Sequence, residues 1–547
     1  IYYRTGKHMD AMIHYHRALV LATTASLDAK IIAATLNCIG VVHFHSNIQG
    51  TNRTVGLFQQ SLKLYRECLG NGVTTSEVAT VLNNLGRAYF LQGKFQQSLT
   101  TYQEALSIRQ RLLDSQSVDI AATVYNIAQV HQKLGNNDEA LTLYHRFLSL
   151  MKAQSSKTST KHHQSHGTNT PADREIAMGC RCIADVYQQC GKPKLAIPFL
   201  QDALRLTKKI VGLFHSEVAS ILNKLGNLLY EIRDYDTALM HYRDGLAVEN
   251  AILSETHPHI IITLTNIGHI LKQQRDYAGA VTVYKKVLDT QRKVSDEQSS
   301  TTNPLDLATT LSSLGLAQYH NEQYDDAFDS YQEALRIRRD QYGSDEHLDI
   351  ASTLNSIGLV LFKQRSLELA LSCFNASLSI RTKLLGPDHR DCAVLWYNLG
   401  TIQFEMGQDD IAIQLYKETL RIERAALGAD HPDVVLTLQH LGQVHQQLGR
   451  LDESLDFFMH ALNIERKRKQ DKGDDDDDKD NTSSIAKMLN LIGNIHMQMG
   501  DISMMMKSFV EAARILDSRG DPNEVLLIAG YTTYGLSRTN PPAAPVA

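Results

Sequence analysis

Two histidines lie where acid–base chemistry would first be sought. His257 and His431 each precede a proline, and Asp430 and Asp433 flank the second of them. A histidine beside a carboxylate is a common general acid–base pair. Both histidines, however, occupy the same place in a repeated pattern, a turn in which an aspartate can cap and a proline can begin the next helix. The sequence therefore predicts turn residues here and not catalytic ones.

Other side chains could bind a metal or act as nucleophiles. His162, His163 and His166 lie in a Ser/Thr/Gln/His tract without a supporting carboxylate or thiol. The seven cysteines are odd in number and lack standard zinc spacing, which favours reduced thiols. We find no His-Glu-x-x-His motif, phosphate-binding Gly-rich loop, Gly-x-Ser-x-Gly elbow or Cys-x-x-Cys pair. The sequence predicts no catalytic residue, no metal site and no cofactor, and hence a protein that is not an enzyme.

A recurring pair of small residues organises the chain. The first, which we call the glycine position, returns every 42 residues wherever no segment is inserted. It is occupied by Gly40, Gly86, Ala128, Ala184, Gly226, Gly268, Gly315, Gly358, Gly400, Gly442 and Gly493. The second, which we call the alanine position, is assigned to Ser61, Ser98, Ala140, Ala196, Ala238, Ala280, Ala327, Ala370, Ala412, Ser454 and Met505.

The spacing within one repeat predicts a helical hairpin. At about 100° per residue, Trp396, Leu399 and Gly400 share one helical face. Ala412 and Tyr416 form a stripe on the following helix. The small residues predict that the two helices cross closely. Such a hairpin cannot bury its apolar faces alone, so we expect neighbouring repeats to stack on it.

The motif Trp396-x-x-Leu399-Gly400, followed by Ala412-x-x-x-Tyr416, resembles the tetratricopeptide repeat, whose usual period is about 34 residues. The proline that usually ends the second helix of that repeat is absent. Eight extra residues would lengthen the hairpin by roughly 12 Å. The 42-residue unit is similar to that of kinesin light chains and nephrocystin-3-like proteins. The resemblance implies an all-α, right-handed superhelical solenoid of antiparallel helix hairpins, with about eleven full units after a truncated N-terminal one.

Composition shifts and insertions divide the chain. We predict a truncated repeat at 1–22, repeats at 23–148, a disordered Ser/Thr/His-rich loop at 149–173, repeats at 174–469, an acidic loop at 470–482, the last repeat at 483–519, a capping helix at 520–538 and a disordered tail at 539–547. Because the first residues align with the middle of a repeat, we expect the sequence to be a fragment of a longer protein.

Charge and hydropathy narrow the classes of partner. The formal net charge is −5, and residues 471–480 alone carry five net negative charges, so the rest of the chain is nearly neutral. A neutral repeat array does not favour nucleic acid. No run of eighteen apolar residues is present, so no membrane insertion is expected. Together with the reduced cysteines, this predicts a cytoplasmic protein.

A polar stripe is the best candidate for binding. Three residues before and one residue after the glycine position, side chains lie roughly 120° from the apolar face of the first helix. Asparagine and glutamine can hydrogen-bond an extended peptide, and arginine can bind a carboxylate. The resemblance would place this stripe on the concave surface. The predicted groove residues are Asn37, Asn83, Arg87, Gln129, Arg181, Asn223, Asn227, Asn355, Gln439, Gln443, Asn490 and Asn494. The alternative is a solvated, amide-rich helix face.

Two functions remain open. The first is a non-catalytic scaffold that binds peptide segments of partner proteins. The resemblance extends this to a motor, cytoskeletal or ciliary cargo adaptor, although no heptad coiled coil is present. The second is the sensor or substrate-binding region of a larger enzyme or nucleotide-switch protein with an upstream catalytic domain. Upstream heptads would favour the first function, and an upstream phosphate-binding loop would favour the second.

Overall fold

The computed structural model describes residues 8–25, 28–46, 51–70, 74–159, 171–297, 303–472 and 479–517. Within these residues there are twenty-three α-helices and no strands. The helices belong to two compact units, residues 1–274 and 275–547, and each unit is described by itself.

The first unit contains helices α1 to α12. Their bounds are α1 His8–Thr24, α2 Ala29–Ser46, α3 Thr51–Leu69, α4 Ser76–Leu91, α5 Phe95–Leu112, α6 Val118–Lys133, α7 Asn137–Ser159, α8 Pro171–Gln189, α9 Pro193–Val211, α10 Ser216–Glu231, α11 Tyr235–Ile252 and α12 Pro258–Gln273.

The second unit contains helices α13 to α23. Their bounds are α13 Tyr277–Glu297, α14 Pro304–His320, α15 Tyr324–Tyr342, α16 Leu348–Lys363, α17 Leu367–Leu385, α18 Arg390–Glu405, α19 Asp409–Leu427, α20 Pro432–Gln447, α21 Leu451–Lys472, α22 Lys479–Met499 and α23 Ile502–Asp517.

Each unit is a stack of helix hairpins. In the first unit, α2 packs on α3, and the pattern continues through the pair α10 and α11. In the second, it runs from the pair α14 and α15 to the pair α22 and α23. The second helix of each hairpin also contacts the first helix of the next, as α19 contacts α20. The predicted all-α array of repeated hairpins is confirmed.

An aromatic ring covers the glycine position of most hairpins. A Cβ atom on Gly86 would lie 2.9 Å from the ring of Tyr102, and one on Gly400 would lie 2.9 Å from the ring of Tyr416. Both rings are buried. Only glycine allows this approach without movement of the ring, so the predicted close crossing is confirmed. The same contact joins Gly40 to Phe58, Gly226 to Tyr242, Gly315 to Tyr331, Gly358 to Phe374, Gly442 to Phe458 and Gly493 to Phe509.

The alanine position of the first complete hairpin is Thr54, and the assignment to Ser61 is wrong. Thr54 is the fourth residue of α3, as the alanine position is in the other second helices. Phe58, four residues later, packs on Gly40. Ser61 instead donates to a backbone oxygen seven residues before the glycine position, as Ser377 does. Thr54 and Ser61 are seven residues apart, which is nearly two helical turns, so both lie on one face of α3. The repeat pattern alone does not distinguish them.

Among the described helix caps, histidine side chains cap five first helices. The Nδ1 atom of His431 accepts the backbone N–H of Asp433 at 3.2 Å, and that of His389 accepts from Asp391 at 3.1 Å. The predicted aspartate cap is therefore wrong for this turn, and Asp430 pairs with a lysine instead. A neutral imidazole nitrogen accepts a hydrogen bond as an Asn or Asp oxygen would. The prolines begin α12 and α20 as predicted. The other caps are His215, His257 and His347.

Removal of one such cap has a moderate expected cost. His389→Ala leaves the first N–H groups of α18 without a side-chain acceptor, so we expect a loss of about 1 kcal/mol in the free energy of unfolding. His389→Asn restores an acceptor and should recover most of this loss. Urea denaturation followed by circular dichroism measures both variants. Equal stability of the two variants would show that the imidazole acts by packing and not as a cap.

Several predicted boundaries fall partly outside the described residues. Helix α7 continues through residue 159 and α8 begins at residue 171, so both enter the region predicted as a disordered loop. Residues 160–170, with the three histidines considered for metal binding, are outside the described residues. So are residues 473–478 of the acidic loop, the predicted capping helix at 520–538 and the predicted tail.

Candidate interaction surface

The predicted groove residues lie on the first helices of both units. Arg87 and Asn227 are exposed, and Asn355 is buried at 4% exposure. The rest are half-buried, namely Asn37, Asn83, Gln129, Arg181, Asn223, Gln439, Gln443, Asn490 and Asn494. The structure thus divides the stripe into side chains that reach solvent and side chains that contribute to packing.

Asparagine pairs join the first helices of successive hairpins. Asn84 donates its amide to Oδ1 of Asn37 at 3.0 Å. Asn126 donates to Oδ1 of Asn83 at 3.1 Å, and an equivalent bond of 3.1 Å reaches Asn355 in the second unit. Asn37, Asn83 and Asn355 are therefore each held by the next repeat through the side-chain oxygen. The amide NH₂ group of each is oriented by that contact and remains as a donor.

Other members of the stripe are engaged within their own unit. Asn223 donates to Glu249 and to a threonine hydroxyl, both at 2.9 Å. Asn227 accepts the hydroxyl of a buried tyrosine, and Gln129 donates to a tyrosine oxygen at 3.0 Å. The guanidinium of Arg87 lies 4.7 Å from the centre of a phenylalanine ring. These four residues have structural contacts in addition to any role in binding.

A buried charged position lies twenty-three residues after the glycine position, outside the predicted stripe. Arg109 donates to Thr123 at 2.6 Å, and Glu423 accepts from Thr437 at 2.8 Å. Each bond joins one hairpin to the first helix of the next. In the sequence, this position could have been found as a charged residue that follows the apolar stripe of the second helix. The same position contains Glu249, Arg338 and Glu465.

Glu423 is buried without a cation. It is 7% exposed, and among the described residues its hydrogen bond comes from the neutral hydroxyl of Thr437, with no ion pair to lysine, arginine or histidine. Burial and the neighbouring negative charge of Asp433 raise the pKa of Glu423 to about 7, although the hydrogen bond from Thr437 opposes this shift. One repeat later, Glu465 accepts from Arg468 at 2.7 Å. The two glutamates differ in that one has its own guanidinium partner.

A cleft of about 440 Å³ opens beside Glu423 in the second unit. Its walls come from the first helices α16, α18 and α20 and from the ends of α17 and α19. Asn355 and Tyr397, which are three residues before their glycine positions, lie in its lining. The cleft is therefore a continuation of the polar stripe, with charged groups at the ends of the second helices.

A neutral polar cluster supports the floor of this region. The hydroxyl of Tyr397 lies 2.6 Å from Nε2 of His440. Tyr416 stacks on the same imidazole, with ring centres 5.5 Å apart. Burial lowers the pKa of His440 to about 4, so its ring is uncharged at neutral pH. The cluster therefore holds Tyr397 in place through a hydrogen bond and ring packing, without adding charge to the cleft.

The described part of the chain contains neither a cluster of metal ligands nor a membrane-spanning helix. In these residues, no group of three or more His, Cys, Asp or Glu side chains is arranged to hold a metal ion. All seven cysteines are unpaired. None of the described helices combines the length and the apolar character needed to span a bilayer.

The tetratricopeptide repeat profile matches residues 77–153, 175–251, 217–293, 306–364, 349–425 and 391–467. A further profile of the same repeat matches residues 486–515. These matches cover more than half of the sequence. The chain belongs to the tetratricopeptide repeat family. It is a helical repeat scaffold of the kind that mediates protein interactions, a fold typical of non-catalytic proteins.

Relatives of this tetratricopeptide repeat chain include a kinesin light chain homologue. Protein KINESIN LIGHT CHAIN-RELATED 1 from Arabidopsis thaliana is 22% identical over 163 residues, which are 30% of this chain and 24% of the relative. The chain thus matches about a quarter of that relative's length. The predicted resemblance to kinesin light chain repeats is confirmed.

Solved structures are more distant in sequence. BtubC (BKLC) from P. vanneervenii is 14% identical, with a TM-score of 0.37, and the match covers 49% of this chain and 96% of that protein. A Podosopora anserina kinesin light chain structure with nearly identical TPR-like repeats is 16% identical, with a TM-score of 0.35. That match covers 42% of this chain and 100% of the solved chain.

Proposed function

We propose that this chain binds peptide segments of partner proteins along the polar stripe of its first helices. The asparagine pairs support this proposal most directly. Asn37, Asn83 and Asn355 each have their oxygen engaged by the next repeat, so each amide NH₂ group is oriented at little further entropic cost. A row of oriented donors suits the carbonyl groups of an extended peptide.

The narrower form of the proposal is a cytoplasmic adaptor in a motor or cytoskeletal complex. Its support is the kinesin light chain-related homologue, which matches under a third of this chain. Exposed Arg87 and half-buried Arg181 could add recognition of a carboxylate to the amide contacts. The partner would then be identified by the sequence shared among the peptides that the chain captures.

A peptide array tests the stripe. The purified chain is compared with an Asn83→Ala, Arg87→Ala double variant and with a control double variant, Gln110→Ala, Arg111→Ala, on the exposed face of α5. Both variants remove one amide and one positive charge. We expect the stripe variant to bind the selected peptides at least about tenfold more weakly than the parent, and the control variant to bind them with unchanged affinity. All three proteins must first show equal helicity and melting temperature. Retention of every peptide by the stripe variant would reject this stripe as the binding surface.

A further inference from the structure

We propose that the cleft between α16, α18 and α20 binds an arginine side chain of a partner peptide, with the Glu423 carboxylate as its acceptor. The inference rests on the proposed function and deepens it, because it assigns one subsite and the chemistry of the residue that enters it. Three features of the chain support this subsite: a carboxylate without a cation, the completed site of the next repeat and the walls of the cleft.

The carboxylate is incompletely satisfied. Oε2 of Glu423 accepts one neutral hydroxyl bond from Thr437, and no described donor bonds to Oε1. The neighbouring charge that raises its pKa is the like charge of Asp433, which also lines the cleft. A buried carboxylate in this state is costly, and a cation that reaches it restores both charge balance and hydrogen bonding. The free cleft therefore favours a positively charged ligand group.

The next repeat shows what completes such a site. Glu465 occupies the equivalent position and accepts hydrogen bonds from Arg468 at 2.7 Å and from Ser484 at 3.0 Å. Arg468 lies three residues after its glutamate. Three residues after Glu423 the chain has Ala426, which is exposed and cannot supply a cation. The same carboxylate position thus receives its guanidinium from within the chain in one repeat and lacks it in the preceding one.

The walls suit the shape and charge of an arginine side chain. Val394 and Leu436 line the cleft and offer apolar contact to the methylene groups. Arg381 and Arg390 also line the cleft, but among the described residues neither forms an ion pair with Glu423. Arg381 donates instead to the backbone oxygen of Asp391 at 3.2 Å and to the hydroxyl of Ser352 at 3.3 Å. The cleft volume of about 440 Å³ is adequate for one long side chain and a short length of backbone.

A matched pair of peptides tests the subsite. The probe is a fluorescein-labelled, end-blocked peptide of glycine, serine and alanine with one central arginine, and its control carries citrulline, which is uncharged, at the same place. Fluorescence anisotropy with the full chain should show binding of the arginine peptide at least about tenfold tighter than that of the citrulline peptide. Equal affinity for the two peptides, or no binding of the arginine peptide up to about 1 mM, would overturn the proposal.

Three variants locate the binding. Glu423→Gln preserves the shape and the bond to Thr437, and should remove the preference for arginine. Ala426→Arg reproduces the arrangement of the next repeat and should block the arginine peptide. Glu368→Gln, which removes one carboxylate from an exposed position on α17 in the same unit, is the matched control and should bind like the parent. An arginine preference that survives both Glu423→Gln and Ala426→Arg rejects the subsite.

The peptide array separates this inference from the broader function. If captured peptides depend on Asn83 and Arg87 but are unaffected by Glu423→Gln, peptide binding stands and the arginine subsite is wrong. The Asn83→Ala, Arg87→Ala variant could instead capture every peptide while Glu423→Gln removes the preference for arginine. In that case the arginine subsite stands, and the proposed binding by the stripe of the first unit is wrong.

Discussion

Gly86→Val is expected to lower the free energy of unfolding by about 3 kcal/mol, the upper part of the range for overpacking a core. A Cβ atom at this position would meet three ring atoms of Tyr102 within 3.0 Å. The ring is 2% exposed and packed on all sides, so it cannot retreat without displacing α5. Chemical denaturation, followed by circular dichroism, measures the loss.

The control for this substitution is Gly56→Val. Gly56 is also inside a helix, α3, but a Cβ atom there meets nothing within 4 Å. Valine has a better helix propensity than glycine by a few tenths of a kcal/mol, so this variant should be neutral or slightly more stable. Equal stability of the two variants would show that the ring yields easily and that the glycine is not required for the crossing.

Glu423→Gln is expected to stabilise the chain at pH 8 by about 3 kcal/mol, the value of a pKa raised from 4.5 to about 7. The folded state binds the proton of this carboxyl more tightly than the unfolded state does. The parent therefore loses stability as pH rises from about 4.5 to about 7, and the loss is constant above that range. Glutamine has no proton to release and keeps the hydrogen bond from Thr437.

The measurement is the difference in unfolding free energy between variant and parent across this pH range. It should grow with pH and level off near neutrality. Asp433 from α20 and Tyr397 from α18 also face the carboxyl and are present in both proteins, so the difference isolates Glu423. A constant difference at all pH values would show that the folded and unfolded carboxyl groups titrate alike.

The fold follows from spacing, because each hairpin repeats the same few constraints. Gly400 and Ala412 are enough to predict a close crossing, since small residues recur at fixed intervals along the whole array. The structure adds that the ring of Tyr416 fills the space over Gly400. The register of α3 was not predictable in this way. Thr54 and Ser61 are both small and polar and share a helix face, and they are distinguished by the packing of Phe58 on Gly40 and by the hydrogen bond that Ser61 donates.

The candidate surface was predicted less completely, because periodicity gives the direction of a side chain but not its partner. Asn83 lies on the predicted stripe, yet its side-chain oxygen accepts a hydrogen bond from Asn126 of the next repeat. Asn223 is held by a buried glutamate. Glu423 stands at the end of a buried stripe, and its significance depends on which residue lies three positions later. His431 acts through a backbone bond that a general acid–base interpretation overlooks.

The contact between each glycine position and its ring has a consequence for how the chain folds. Gly400 and Tyr416 are only sixteen residues apart, so the closest packing forms within a hairpin and needs no distant segment. Low contact order of this kind favours rapid folding and unfolding in segments. The chain's one tryptophan, Trp396, lies half-buried on α18 and packs in the core of the second unit. The fluorescence of Trp396 therefore reports unfolding of the repeats around α18. The difference between its unfolding midpoint and the midpoint measured by circular dichroism shows how far cooperative unfolding extends along the chain.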